Sequence, residues 1–125
     1  MDDAHMTVVA TTPLTAERPE WPRVRGRWIR RPDRDGWSDF VLSEWELERA
    51  GFADLHSHTE TNVVLAGELF VECAGRTVTV VEGAAVTVPA GHRGRYWAPH
   101  YARMLAIYGA SNSGAPPTEL DYWEL

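Results

Sequence analysis

The sequence predicts a single all-β domain, and three observations carry that prediction. At 125 residues the chain is long enough for one hydrophobic core but not for two. Runs rich in Val, Thr and aromatic residues recur along it, punctuated by Gly and Pro as strands are by turns. No stretch keeps helical apolar spacing over a useful length, and neither an internal repeat nor a Gly-rich nucleotide cradle is visible. The composition, 44% hydrophobic and 24% charged, is that of an ordinary globular domain and argues against disorder or a membrane-embedded chain.

Taken in order, residues 1–36 form an N-terminal arm in which Pro13, Pro19, Pro22 and Pro32 oppose a long helix. Trp21 and Trp28, with Val24 and Ile29, are too apolar for a solvated tail. They are expected to cover the outside of the domain as a strand or loop, or to meet a second copy in a homodimer. The cluster Arg23, Arg25, Arg27, Arg30 and Arg31 reads as a solvated face paired with the acidic excess, with an anionic ligand as the sharper alternative.

Residues 37–109 form the body of the domain. SDFVLSEWELE, residues 38–48, reads as a strand with Trp45 and Leu47 on one face and Glu44, Glu46 and Glu48 on the other. Those carboxylates are expected to face water, and an inward Glu46 would instead be a candidate base. ELFVEC and RTVTVV read as a hairpin through Ala74 and Gly75, AAVTVP runs into Pro89, which ends the strand or places it at an edge, and MLAIY reads as a core strand. The tail, residues 110–125, opens as a Ser, Gly and Pro linker. It closes on LDYWEL, whose Tyr122 and Trp123 are expected to dock on this domain or on a second subunit.

The chemistry concentrates in GFADLHSHTETNVVLAG, residues 51–67. His56, His58 and Glu60 are spaced by two, so on an extended strand all three project from one face. Two imidazoles and one carboxylate arriving from one side are the ligand set that non-haem Fe(II) uses and Zn(II) accepts. The same alternation suits the watery side of a half-buried strand, but the apolar run Val63, Val64, Leu65, stopped by Gly67, places it against a core. Asn62 shares the parity of the ligands and is a candidate inward hydrogen-bonding group.

HSHTETNVVLAGEL resembles the first motif of the cupin superfamily, in which a Gly precedes HxH, a Glu follows and a Gly closes seven residues later, as Glu60 and Gly67 do here. Gly83, Pro89, Ala90 and Gly91 resemble its second motif, and the likeness spans residues 38–109. The resemblance implies a cupin-like double-stranded β-helix, a jelly-roll antiparallel β-barrel. It also implies Arg95 or Tyr96 near the metal, Arg95 gripping a substrate carboxylate and Tyr96 donating a proton. On the residues alone, a surface Arg and a packed aromatic serve equally. Two departures stand out. One residue separates His58 from Glu60 where the family has three or four, and Gly94 and Ala98 stand where it has His and Asn. A three-ligand site is therefore expected, with His92 as the candidate replacement and His100 further along.

These readings lead to a metal-dependent enzyme acting on a small organic molecule inside the barrel. The reaction is expected to be an Fe(II) dioxygenase type or a metal-dependent isomerase, lyase or cyclase, with Fe(II) preferred over Zn, Ni or Mn. The alternative is a non-catalytic small-molecule-binding or sensing cupin. The net charge of −6 argues against nucleic acid as a partner, and neither a signal peptide nor an apolar span of membrane length is visible. The lone Cys73 cannot form an internal disulfide and suits a reducing cytoplasm.

Overall fold

The computed structural model describes residues 4–125, so the first three residues of the N-terminal arm lie outside it. Eight strands are present and, among the described residues, no helix: β1 (Thr15–Ala16), β2 (Val24–Arg30), β3 (Val41–Leu55), β4 (Glu60–Cys73), β5 (Arg76–Val81), β6 (Ala85–Val88), β7 (Arg93–Tyr108) and β8 (Thr118–Glu124). All pairings are antiparallel, and the path of the sheet is β1-β2-β3-β7-β4-β5, with β6 also on β4 and β8 also on β3.

Three strands of 14 to 16 residues make the framework, and each serves both halves of a folded sheet. In one half β7 runs between the starts of β3 and β4, so that Val41 and Glu60 both pair with Tyr108. In the other, the opposite end of β7 pairs Phe52 and Val71 with Tyr96. The halves fold together over a core that joins Leu47, Val64 and Met104 of the first to Leu69, Val71 and Tyr96 of the second. Burying each aliphatic side chain contributes about 1.5–3 kcal/mol. β1 and β5 end the path without pairing with each other, so the wall is a curled jelly roll and not a hydrogen-bonded closed barrel.

The folding-over needs irregular backbone, and each irregularity reverses which alternate residues face inward. In β3 the register slips between Glu48 and Ala50, with Arg49 held at φ 47°. Before that bulge the odd positions Val41, Ser43 and Leu47 are buried; after it Ala50 and Asp54 turn inward. In β4 the slip lies between Val64 and Phe70 and includes Gly67 at φ 78°, where a Cβ would come within 2.0 Å of the Tyr101 carbonyl oxygen. Gly67 therefore does not stop a strand, as the sequence suggests, but lets one bend and continue. Ala74 and Gly75, both at positive φ, do form the expected β4–β5 hairpin.

The Arg cluster meets the acidic face of β3. Arg25 reaches Glu46 and Arg27 reaches Glu44, each at 2.8 Å, and Glu46 also accepts from the Tyr101 hydroxyl. Glu46 is thus held on the outer face and is not an inward base. Both ends of the chain dock on this same domain. Tyr122 stacks on Trp21 with ring centroids 5.8 Å apart, and Trp123 lies over Gly51, where a Cβ would come within 2.1 Å of the indole.

Gly51→Ala should therefore lower the unfolding free energy by about 1–3 kcal/mol through overpacking. In a Trp123→Ala background, where the obstructing ring is gone, the same change should cost less. Urea denaturation of the four-member cycle measures the difference.

Candidate metal centre

β3 ends at Leu55 and β4 begins at Glu60, so the four residues between them cross from one half of the sheet to the other. Backbone bonds pin this crossing: Gly91 N–H donates to the His56 carbonyl at 2.8 Å, and Gly109 N–H to that of Thr59 at 3.0 Å. His56, His58 and Glu60 consequently do not project from one extended strand. The turn brings His56 and Glu60 together with Asp54 from the end of β3 and leaves His58 beside them.

The groups that meet are Asp54, His56 and Glu60, whose candidate ligand atoms lie within 4.8 Å of one another. His56 Nε2 is 2.8 Å from Asp54 Oδ2 and 2.8 Å from Glu60 Oε1, with all three side chains largely buried. An imidazole nitrogen carries at most one hydrogen and cannot serve two carboxylates at once. Neither contact has hydrogen-bond alignment, and His56 Nδ1, His56 Nε2 and Glu60 Oε1 are left without hydrogen-bond partners. Burial lowers the proton affinity of His56, yet the Asp54 and Glu60 carboxylates outweigh it and raise its pKa to about 10. Burial pushes the Asp54 carboxyl up, against the pull of His56.

A divalent cation fits this donor set better than a proton does. It binds three lone pairs together, and at metal–ligand distances of about 2.0–2.1 Å, donors at right angles stand about 2.9 Å apart, close to the spacing found here. A buried carboxylate pair also needs positive charge beside it to offset the loss of hydration.

His58 is buried beside this trio, its ring centroid 4.5 Å from that of His56, but it is not one of the three converging groups. Its Nδ1 lies 3.0 Å from the Thr59 carbonyl oxygen. A carbonyl only accepts, so Nδ1 carries the hydrogen and the lone pair resides on Nε2. Burial lowers the pKa of His58, which keeps the ring neutral at neutral pH. Asn62, fully buried, donates from Nδ2 to Glu60 Oε2 at 2.8 Å.

The remaining predicted residues fall elsewhere. His92 is exposed on the turn before β7, its Nδ1 3.2 Å from the Ala90 carbonyl oxygen, and shares a shallow outer depression with Arg95. Arg95 occupies an odd, outward position of β7, near Glu72 and over the rings of Trp97 and Trp123, so it does not reach the site. Tyr96 points inward but is packed behind the site, edge-on to Trp45 at 5.6 Å. Burial and the nearby Glu60 charge raise its pKa well above the ordinary range. A Cβ at Gly94 would stand 2.8 Å from the Tyr96 hydroxyl, so the tyrosine fills the space a ligand side chain from position 94 would need. His100 is exposed.

Asp54 is the residue sequence reasoning missed. It continues the spacing of two backwards, giving D-x-H-x-H-x-E, but a lone Asp near a strand end carries no distinctive signal. The walls were missed too. An open cavity of about 810 Å³ lies over the trio, walled by Trp21, Trp28, Trp37, Trp45, Phe52 and Tyr108. Trp37 is fixed by its Nε1–H to the Gly109 carbonyl at 2.7 Å and tilts over His58 at 5.2 Å. Tyr108 is 5.4 Å from His56 and 5.0 Å from His58, centroid to centroid.

A family model described as Cupin domain matches residues 45–108. No curated protein matches the sequence. Among solved structures, the polyketide cyclase RemF from Streptomyces resistomycificus is similar with a TM-score of 0.69 and 22% identity, covering 90% of this chain and 84% of that one. An RmlC-like cupin from Shewanella frigidimarina gives 0.66 at 13% identity, covering 87% and 93%. KdgF from Halomonas sp. gives 0.65 at 15%, covering 80% and 89%. At these identities the likeness is one of fold.

Replacing Asp54 by Ala should weaken Zn(II) or Mn(II) binding by about tenfold or more, whereas His92→Ala should leave it unchanged. Isothermal titration of the two variants beside the unaltered protein reads both outcomes.

Proposed function

The chain belongs to the cupin superfamily, and on that premise we propose that it is a metal-dependent enzyme acting on a small, flat, largely apolar organic molecule in the aromatic cavity. The observation that carries the reading is the convergence of Asp54, His56 and Glu60 at the base of that cavity, with His56 Nε2 and Glu60 Oε1 left without hydrogen-bond partners. Asp54 Oδ2, His56 Nε2 and Glu60 Oε1 would hold the ion, with His58 beside them. Bound there, a divalent ion supplies Lewis-acid polarisation of a substrate oxygen or, if it is Fe(II), the capacity to bind dioxygen.

The chain's own residues do the rest. The tryptophan walls bind a ring face and exclude water from it. Tyr108 has its pKa raised well above the ordinary range, first by burial and then by the Glu60 charge, so its hydroxyl stays protonated and able to donate. Ser43 stands 3.5 Å from that hydroxyl. His58, neutral and with its lone pair on Nε2, is the candidate base for a proton beside a polarised carbonyl. These roles suit a cyclase, isomerase or lyase, and a polyketide cyclase is among the solved structures that share this fold. A trio of two carboxylates and one imidazole is also a harder donor set than the two-histidine site of the Fe(II) dioxygenase alternative. The second reading, a non-catalytic binding cupin, draws on Gly94, where Tyr96 has closed the family's fourth ligand position.

Protein purified without chelator should contain about one divalent ion per chain, and removing that ion should lower the melting temperature. An undetectable metal content together with no thermal response to added Fe(II), Zn(II), Ni(II) or Mn(II) would overturn the proposal. A dihydroxynaphthalene probe should quench tryptophan fluorescence, with affinity falling about tenfold on metal removal or on Trp37→Ala. Affinity that survives metal removal unchanged would favour the binding-only reading, and probe-dependent oxygen uptake by the Fe(II)-loaded protein would favour the dioxygenase.

A further inference from the structure

Behind Glu60 lies a chain of buried polar contacts that the reading above does not use. Trp45 Nε1–H donates to Asn62 Oδ1 at 2.7 Å, and Asn62 Nδ2–H donates to Glu60 Oε2 at 2.8 Å. An indole N–H can only donate, so it must face the amide oxygen. The amide nitrogen is thereby turned to Glu60, where it requires an acceptor. The orientation of Asn62 thus follows from Trp45, and that of the Glu60 carboxylate from Asn62. One oxygen of Glu60 is taken, and the other, Oε1, is left pointing at His56 Nε2 without a hydrogen-bond partner. Asn62 is fully buried, so no water competes for either contact. The indole is also held edge-on by Phe52 and Tyr96, at 6.2 and 5.6 Å.

From this geometry we infer that Trp45 and Asn62 are positioning residues, which fix the oxygen that Glu60 presents to the ion. Trp45 is at the same time part of the cavity wall, so the surface that meets the organic molecule is the surface that aims the ligand. The inference rests on the metal-binding reading and deepens it: residues that never touch the ion set the geometry of its coordination.

The test uses Co(II) as a spectroscopic probe on the chelator-stripped full chain, with the variants Trp45→Phe and Asn62→Leu. Trp45→Phe keeps an aromatic ring while removing the donor, so it stays informative if Asn62→Leu fails to fold. Each folded variant should bind Co(II) about 10–100-fold more weakly than the unaltered protein and show a changed visible absorption band. A lower melting temperature with the affinity and the band unchanged would assign the relay a purely structural role and overturn the inference. Absence of Co(II) binding by the unaltered protein would remove the metal-binding reading itself, and this inference with it; the unaltered protein decides that point before any variant is measured.

Discussion

Two largely buried carboxylates set against a single imidazole nitrogen form the constraint on which the rest of this molecule depends. One proton cannot satisfy both acceptors, and charge without compensation is costly to bury. The structure around Asp54, His56 and Glu60 supplies what such a group needs. Each carboxylate comes from a different half of the sheet, a backbone-pinned turn carries the imidazole between them, and an amide fastens the far oxygen of Glu60.

Delivering those groups to one point is the work of the bends. β3, β4 and β7 each serve both halves of the folded sheet, and the local irregularities at Arg49 and around Gly67 change which alternate residues turn inward. The bulge at Arg49 lets odd-numbered Trp45 and Leu47 share an interior with even-numbered Asp54. Without the extra residue, one set would face solvent. The same folding divides the interior into an apolar end, around Leu69, Met104 and Tyr96, and a polar end open to the aromatic cavity.

Both ends of the chain contribute to that enclosure. Trp21 and Trp28 of the N-terminal arm help to wall the cavity, while Tyr122 stacks on Trp21 from the far side and Trp123 seals Gly51. The arm is therefore part of the architecture of the site as well as a covering. The arginines Arg25 and Arg27 of β2 are taken up by Glu44, Glu46 and Glu48, away from Asp54 and Glu60.

The sequence by itself determined the fold class, the β4–β5 hairpin, the inward placement of Asn62 and the neighbourhood of the site. Each of these rests on local chemistry: alternation of side chains, residues that tolerate positive φ, and ligand-type groups crowded into a few positions. The likeness to the two family motifs added the jelly roll. Only the tertiary structure decided that Asp54 joins the trio while His58 stands beside it, that Arg95 and His92 face outward, and that Tyr96 occupies the space beside Gly94. Those outcomes turn on bulges, on a crossing between two half-sheets and on contacts between residues far apart in the chain. A single-residue shift in parity reverses the face of everything beyond it, and nothing in the identity of Arg49 announces that shift.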